Sequence, residues 1–417
     1  MKRTTSGASG RRLLRRVLAV AALLWAAFGL FWALWIVLPV LSWGIFLPIL
    51  SWVISLLATE FSLLLAAYAV AGLGLAALCW RNGARRAAVV ALAFGAATVA
   101  LSLLPPAQAW RTARAEGVSL SLREYFAGSL AISDRSPNET RVYARPEGSE
   151  GEKLKLDVYE AGGTGTESAA RSGSRPAVIM AHGGAYVLGR RSEMPRWDAW
   201  LADKGYVVFD IDYRLSPPPR WKDAPGDVKC AVGWVKENAE SYGVDPNRIA
   251  LMGKSAGGHL SLLAAYAEDD PRLPPSCETG DTSVAAVVGF YSQTDLTGLC
   301  TDGDCESGES PVRTFTGATP ATNPGRYRLV SPISHVDSSD PPTFLVQGGR
   351  DSFVPPGQSR LLARRLEEAG VEHRLLELPY AQHGFDESWG GWGSQITRPE
   401  LKRFLEQHLG RQSPKTQ

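Results

Sequence analysis

A chain of 417 residues exceeds one typical domain, and its 44 Lys and Arg nearly balance 42 Asp and Glu, for a formal net charge of +2. Lys2, Arg3, Arg11, Arg12, Arg15 and Arg16 crowd the first sixteen positions. The remainder carries no basic stripe of the kind a nucleic acid needs, so nucleic acid is excluded as a partner. Residues 1–16 are read as a basic cytoplasmic tail. From Val17 to Trp80 the ionisable side chains are Glu60, Tyr68 and Cys79, a run far beyond the roughly 20 residues that cross a bilayer. Pro39 and Pro48, with Ser42, Trp43, Gly44 and Trp52 around them, predict a break between helices near Val17 to Leu38 and Val53 to Cys79. After the basic loop Arg81 to Arg86, a third apolar run from Ala87 to Leu104 stops at Pro105 and Pro106.

Three long runs in succession differ from the single short core of a cleaved leader, so 17–104 is expected to be a permanent transmembrane region of three helices. The positive-inside rule puts the Arg-rich start and the Arg81, Arg85, Arg86 loop in the cytoplasm, and three spans then deliver the C-terminal part outside. The expected protein is multi-pass in the cell membrane, with the larger domain extracytoplasmic. Residues 105–139 show no sustained period and suit a connector.

From 140 to 411, short β-rich runs alternate with helical patterns. The expected strands are Thr140 to Ala144, Lys153 to Tyr159, Pro176 to Ala181, Tyr206 to Ile211, Ile249 to Met252, Val284 to Phe290, Thr343 to Val346 and Arg374 to Leu378. Runs such as Ala177-Val178-Ile179-Met180 are apolar throughout, as strands buried on both faces of a mostly parallel sheet should be. Trp197 to Lys204, Pro225 to Tyr242, Ala256 to Ala267, Gln358 to Ala369 and Pro399 to Leu409 have the three- and four-residue apolar spacing of crossover helices. The architecture is an α/β sandwich, with an irregular insertion at 298–326 that could serve as a lid and a tail at 412–417. Cys277, Cys300 and Cys305 share one Gly/Ser/Asp-rich stretch, and spacing leaves open a disulfide among them or free thiols. No metal-ligand pattern is present, and no cofactor is expected.

Gly253-Lys254-Ser255-Ala256-Gly257 fits G-x-S-x-G, weak alone but here led by the strand Arg248 to Met252 and followed by a helix. Such an elbow holds a serine in a strained turn above the sheet, and Gly253, Gly257 and Gly258 supply the room it demands. A serine hydroxyl needs a base. His383, in Tyr380-Ala381-Gln382-His383-Gly384-Phe385, follows the last strand and precedes the last helix, whereas His259, His373 and His408 sit inside helix or strand patterns and His335 is a looser rival. Asp351, after the strand Thr343 to Val346 and the turn Gln347-Gly348-Gly349-Arg350, fits the orienting acid, with Asp295 as runner-up. Ala181-His182-Gly183-Gly184-Ala185-Tyr186 follows another strand. Its Gly184 and Ala185 amides, with that of Ala256, are the expected oxyanion hole, each donor worth roughly 3 to 4 kcal/mol. His182 is expected to brace that loop.

These motifs, together with Asp212-Tyr213-Arg214-Leu215, Gly243 to Ile249, Ser255-Ala256-Gly257-Gly258-His259-Leu260 and Asp351-Ser352-Phe353-Val354-Pro355, resemble the carboxylesterase and hormone-sensitive-lipase-like branch of the α/β hydrolases. Feruloyl-esterase-like and prenylcysteine-methylesterase-like members belong to it, and the match runs from about Lys153 to Leu409. The resemblance implies an α/β-hydrolase fold and ester hydrolysis by Ser255, His383 and Asp351. Two departures stand out: Ala185 where many relatives have Gly, and Lys254 where the lipase-like branch usually has Asp. Asp212 and Asp227 are read as structural.

Tyr186, Phe353 and Phe385 are the candidate substrate-pocket residues, favouring an apolar acyl or aryl group, and the anchor points to a small-molecule or lipid ester near the membrane. An amidase or peptidase with the same groups is the first alternative. The second is an inert membrane scaffold that binds a partner, for which Glu60 within the bilayer run is the hint.

Overall fold

The structure, a computed structural model, describes residues 5–39, 46–128, 135–146, 152–161, 175–300 and 310–410. The chain divides into two compact units: Met1–Leu130 with Gly348–Phe353 and Leu378–Ile396, and Ala131–Gln347 with Val354–Glu377 and Thr397–Gln417. Residues 1–4 of the basic tail, the predicted break at Ser42 to Gly44, much of the 298–326 insertion including Cys305, and the tail at 412–417 lie outside the described residues.

The first unit opens with α1 (Thr5–Leu34), α2 (Phe46–Glu60), α3 (Ser62–Arg81) and α4 (Arg85–Ser102). Among the described residues, three stretches are long and apolar enough to cross a membrane: Gly10–Leu34, Ser62–Arg81 and Arg85–Ala115. The expected single helix from Val53 to Cys79 is instead two, parted at Phe61, and its first half is too short to span. Thr59, Glu60 and Ser62 flank the break, a short polar interruption between two apolar runs. Small residues let α1, α3 and α4 approach. A Cβ added at Gly72 would lie 2.5 Å from the Trp25 ring, and one at Gly95 would lie 2.7 Å from Leu73. Trp25 stacks on Tyr68 at 4.5 Å, and each ring donates a hydrogen bond to the other's backbone carbonyl, at 3.0 and 3.1 Å.

The stretch expected to be an irregular connector is largely helical, with α5 (Leu104–Ala115) and α6 (Leu122–Gly128). Pro105 and Pro106 open α5 rather than ending the apolar run, because a proline in the first turn gives up no helical hydrogen bond. On α6, Tyr125 is buried against Trp392, with ring centroids 4.4 Å apart, and donates 2.6 Å to the backbone carbonyl of Glu60.

The second unit holds most of an eight-stranded sheet: β1 (Glu139–Ala144), β2 (Leu154–Tyr159), β3 (Arg175–Ala181), β4 (Val207–Ile211), β5 (Val244–Lys254), β6 (Ala286–Phe290), β7 (Thr343–Gly348) and β8 (His373–Leu378). Their order is β1-β2-β4-β3-β5-β6-β7-β8. The first two pairings are antiparallel, and those from β4 through β7 are parallel. Ile179 sits in register with Phe209 on one side and Leu251 on the other, all three fully buried. Continuous apolar strands are required here because helices cover both faces of a parallel sheet. Those helices are α7 (Pro195–Asp203), α8 (Asp223–Glu237), α9 (Ala256–Tyr266), the short α10 (Leu296–Leu299), α11 (Pro311–Thr316) and α12 (Pro324–Leu329), then α13 (Gly357–Ala369) and α14 (Trp392–Leu409). The last begins seven residues before the expected start, with Pro399 inside it.

Part of the proposed lid is anchored: α11 buries Phe315 completely, stacked on Tyr186 at 4.2 Å. Cys277 pairs not with Cys300 or Cys305 but with Cys230 on α8, 47 residues away, and Cys300 is disulfide-bonded too. Closing a loop of that length constrains the unfolded chain, so Cys277→Ser is expected to cost about 2 to 4 kcal/mol, read as a lowered denaturant midpoint with a somewhat larger m-value, because the unfolded chain becomes less compact.

Candidate active site

Ser255 occupies the single residue between β5 and α9 at φ 53° and ψ −121°, a backbone conformation that costs a non-glycine residue on the order of 1 to 3 kcal/mol. Its amide donates to the Phe290 carbonyl at 2.9 Å, and its own carbonyl accepts from His259 N at 2.9 Å, so both neighbouring elements hold the turn. The glycines are sterically required. A Cβ on Gly253 would meet the Gly257 carbonyl at 2.4 Å, one on Gly258 would meet Ser292 Oγ at 2.0 Å, and one on Gly257 would meet the carbonyl oxygens of Ala181 and His182 at 2.2 Å. That last approach brings the start of α9 against the end of β3, where the His182-Gly183-Gly184 loop begins.

The loop lies beside the serine: a Cβ at Gly183 would be 3.7 Å from that of Ser255. Gly184 has φ 113° and no room for a side chain, since a Cβ there would lie 1.9 Å from the Leu188 carbonyl oxygen. Ala185 and Tyr186 follow at φ 53° and 67°, and the Gly184 carbonyl accepts from Val187 N and Leu188 N. Among the described residues, no backbone carbonyl accepts from the amides of Gly184, Ala185 or Ala256.

His182 braces this loop. Its buried ring stacks on Tyr213 at 4.2 Å, and its Nδ1 lies 2.6 Å from the Gly183 carbonyl oxygen. The Tyr213 hydroxyl donates to the His182 carbonyl at 3.0 Å. Burial pushes the His182 imidazole down to about 4, and burial does the same to His259, also to about 4, behind Tyr186. Both rings are neutral in the fold, while in the unfolded chain they take a proton below their ordinary 6.5. Stability is therefore expected to fall as pH drops from about 6.5 to about 4, by up to roughly 3 kcal/mol per ring. Calorimetry across that range should show it, with a shallower loss in His259→Gln.

Asp351 and His383 come together in the first unit. Asp351 Oδ2 lies 2.8 Å from His383 Nδ1, and Asp351 Oδ1 accepts from Phe353 N at 2.9 Å. The carboxylate side chain is fully buried and the imidazole is 13% exposed. An acceptor on Nδ1 fixes the proton there and leaves Nε2 as the basic nitrogen. The turns are tied by Gly349 N to the Leu378 carbonyl at 2.8 Å and Arg350 N to the Ala381 carbonyl at 3.0 Å. Phe353 lies edge-on to the His383 ring at 5.5 Å and is 39% exposed.

The other residues singled out from sequence have different employment. Phe385 is fully buried under Gly393, and Tyr186 is buried between Phe315 and His259. Asp295 caps α10, accepting from Thr297 N and Gly298 N at 2.9 and 3.0 Å. His335 Nε2 lies 2.7 Å from the Leu329 carbonyl oxygen. Asp227 receives Arg214 through its backbone amide at 2.9 Å and its guanidinium at 2.8 Å, while Asp212 holds Arg191 at 2.7 Å, both structural ties. Ser255, Gly184, Ala185, Tyr186 and Ala256 belong to the second unit, and Asp351, Phe353, His383 and Phe385 to the first. Among the described residues no cluster of His, Cys, Asp and Glu is arranged to hold a metal.

A mostly parallel sheet with a strained serine between its central strand and the following helix is the α/β-hydrolase fold. Residues 166–366 are similar to the BD-FAE family, whose model they match. The chain is 36% identical over 218 residues to esterase LipQ and 38% identical over 214 residues to esterase LipC, both of Mycobacterium tuberculosis. Each alignment covers 51% of this chain, and 50% and 53% of the relative, so the chain spans about half the length of the relatives it matches. The apo structure of Thermogutta terrifontis esterase 2 aligns with a TM-score of 0.52 at 25% identity, over 66% of this chain and 96% of that one.

Proposed function

We propose that this protein is a membrane-anchored serine hydrolase that cleaves carboxylic esters, with Ser255 as nucleophile, His383 as general base and Asp351 as the acid that orients it. The observation that carries the reading is the Ser255 backbone, held at a strained φ and ψ by glycines that tolerate no side chain. The Asp351–His383 hydrogen bond and the esterase names of the relatives support it. Ser255 Oγ adds to the ester carbonyl carbon as His383 Nε2 takes its proton. The tetrahedral oxyanion is held by the amides of Gly184, Ala185 and Ala256, and the proton then passes to the departing alcohol. Water, activated by the same imidazole, hydrolyses the acyl-enzyme. Asp351 stabilises the imidazolium without being protonated.

Phe353, half-exposed beside the imidazole, favours an apolar acyl group. The three apolar helices support anchoring in the cell membrane, and the Cys230–Cys277 disulfide supports an extracytoplasmic domain, since disulfides persist in oxidising compartments. A periplasmic-activity reporter fused after Gln417 is expected to be active, and a signal from a cytoplasm-only reporter would overturn that placement.

The reading is tested by assaying the full chain in detergent on p-nitrophenyl acetate, butyrate and palmitate beside aminoacyl p-nitroanilides. Ester turnover is expected. Turnover of anilides alone would replace the esterase with an amidase or peptidase.

A further inference from the structure

The two turns that carry Asp351 and His383 are held by the N-terminal helices. From α2, Trp52 Nε1 donates to the backbone carbonyl of His383 at 3.0 Å, across 331 residues of sequence. The Trp52 ring packs on Phe353 at 5.2 Å, and Phe353 in turn stands edge-on to the imidazole. One turn further along α2, Ser55 Oγ accepts from Gln382 Nε2 at 2.9 Å and donates to the Trp35 carbonyl at 2.9 Å. From beyond α1, the Leu38 carbonyl accepts from Arg350 Nη2 at 3.0 Å. A Cβ on Gly384 would meet Trp52 at 3.6 Å, so the ring also covers the residue after the histidine.

These contacts fall on the residues flanking Asp351 and His383: Arg350 and Phe353 on one turn, Gln382, the His383 carbonyl and Gly384 on the other. They also explain a helix of 15 residues that is apolar yet too short to span. Trp52 and Ser55 stand i, i+3 on one helix face, so a single surface of α2 reaches His383 and Gln382 together.

We infer that α2 is a positioning element for the general base, with Trp52 fixing the His383 backbone and Ser55 fixing Gln382, so that the anchor region takes part in setting the catalytic geometry. The inference rests on His383 being the base. A tryptophan N–H shielded from water favours an acceptor and a carbonyl a donor, so the part-buried pair holds the imidazole's own residue at its peptide rather than at its ring. Displacing a reacting group by about 1 Å costs about 100-fold in rate, while substrate binding need not change.

The test is steady-state hydrolysis of p-nitrophenyl butyrate by the full chain in detergent micelles, comparing Trp52→Phe, Ser55→Ala, Ser55→Thr, Gln382→Ala and His383→Ala. Trp52→Phe keeps the ring and removes the N–H. We expect it to lower kcat about 10- to 100-fold with KM within about threefold and the melting temperature within a few degrees. Ser55→Ala should lower kcat about tenfold and Ser55→Thr should restore it. In a Gln382→Ala background, Ser55→Ala should have no further effect on kcat, because the two act through one hydrogen bond. If His383→Ala abolishes turnover while Trp52→Phe and Ser55→Ala leave kcat unchanged, α2 is only a scaffold and the inference is overturned. Additive losses from Ser55→Ala and Gln382→Ala would overturn the Ser55 part. Full activity in His383→Ala would instead remove the base assignment, a different failure from that of the positioning role.

Discussion

Ser255→Ala is expected to reduce kcat for p-nitrophenyl butyrate by about 10⁵- to 10⁶-fold, leaving a rate near the limit set by binding and the oxyanion donors alone. The loss is large because no other hydroxyl shares the serine's position: the turn between β5 and α9 is one residue long, and its conformation points that residue's side chain off the sheet. Alanine adopts the same backbone at similar cost and removes only Oγ. The fold should therefore survive, with far-UV circular dichroism and melting temperature close to the parent's. Two readouts make the result unambiguous. An initial burst of p-nitrophenol, expected from the parent, should vanish, and labelling by a fluorophosphonate probe should be lost with it. Turnover within tenfold of the parent would mean that the nucleophile lies elsewhere, whatever the elbow's geometry.

Asp351→Asn should lower kcat by about 10⁴-fold with KM changed by less than fivefold. The carboxylate accepts from Phe353 N through one oxygen and from His383 Nδ1 through the other, so both of its oxygens are committed. An amide can keep the bond from Phe353 through its oxygen only by presenting its NH₂ to the imidazole. Nδ1 must then be the acceptor, the proton moves to Nε2, and the nitrogen that should remove the Ser255 proton is already protonated. The imidazolium formed during attack also loses its counter-charge. A loss below tenfold would assign the orienting role to another group.

The central strands were legible because a strand buried on both faces is apolar at nearly every position, and runs such as Ala177 to Met180 leave little choice. Their edges were less so: β5 extends back to Val244 through Asp245, Pro246 and Asn247, polar residues that hide a strand's start. The elbow, the Gly184 loop and the turns of Asp351 and His383 could be read because each is local, a few residues with a steric or chemical requirement. What could not be read is what joins distant segments. Nothing in Ser51-Trp52-Val53-Ile54-Ser55 distinguishes a helix facing lipid from one that grips residues 350 to 384. The pairing of Cys230 with Cys277 depends on where α8 lies.

The first unit is assembled from segments made far apart in the order of synthesis. Its helices α1 to α4 are complete when fewer than a third of the residues have been made, but Gln382, His383 and Trp392 follow more than 250 residues later. Until then Trp52 Nε1 lacks the His383 carbonyl, Ser55 Oγ lacks Gln382 Nε2 and the Tyr125 ring lacks Trp392. Closure over such separations is slow relative to helix formation. A ribosome that stalls within the sheet, or a stop codon before Leu378, therefore leaves the α1 to α4 bundle with an unfilled polar face.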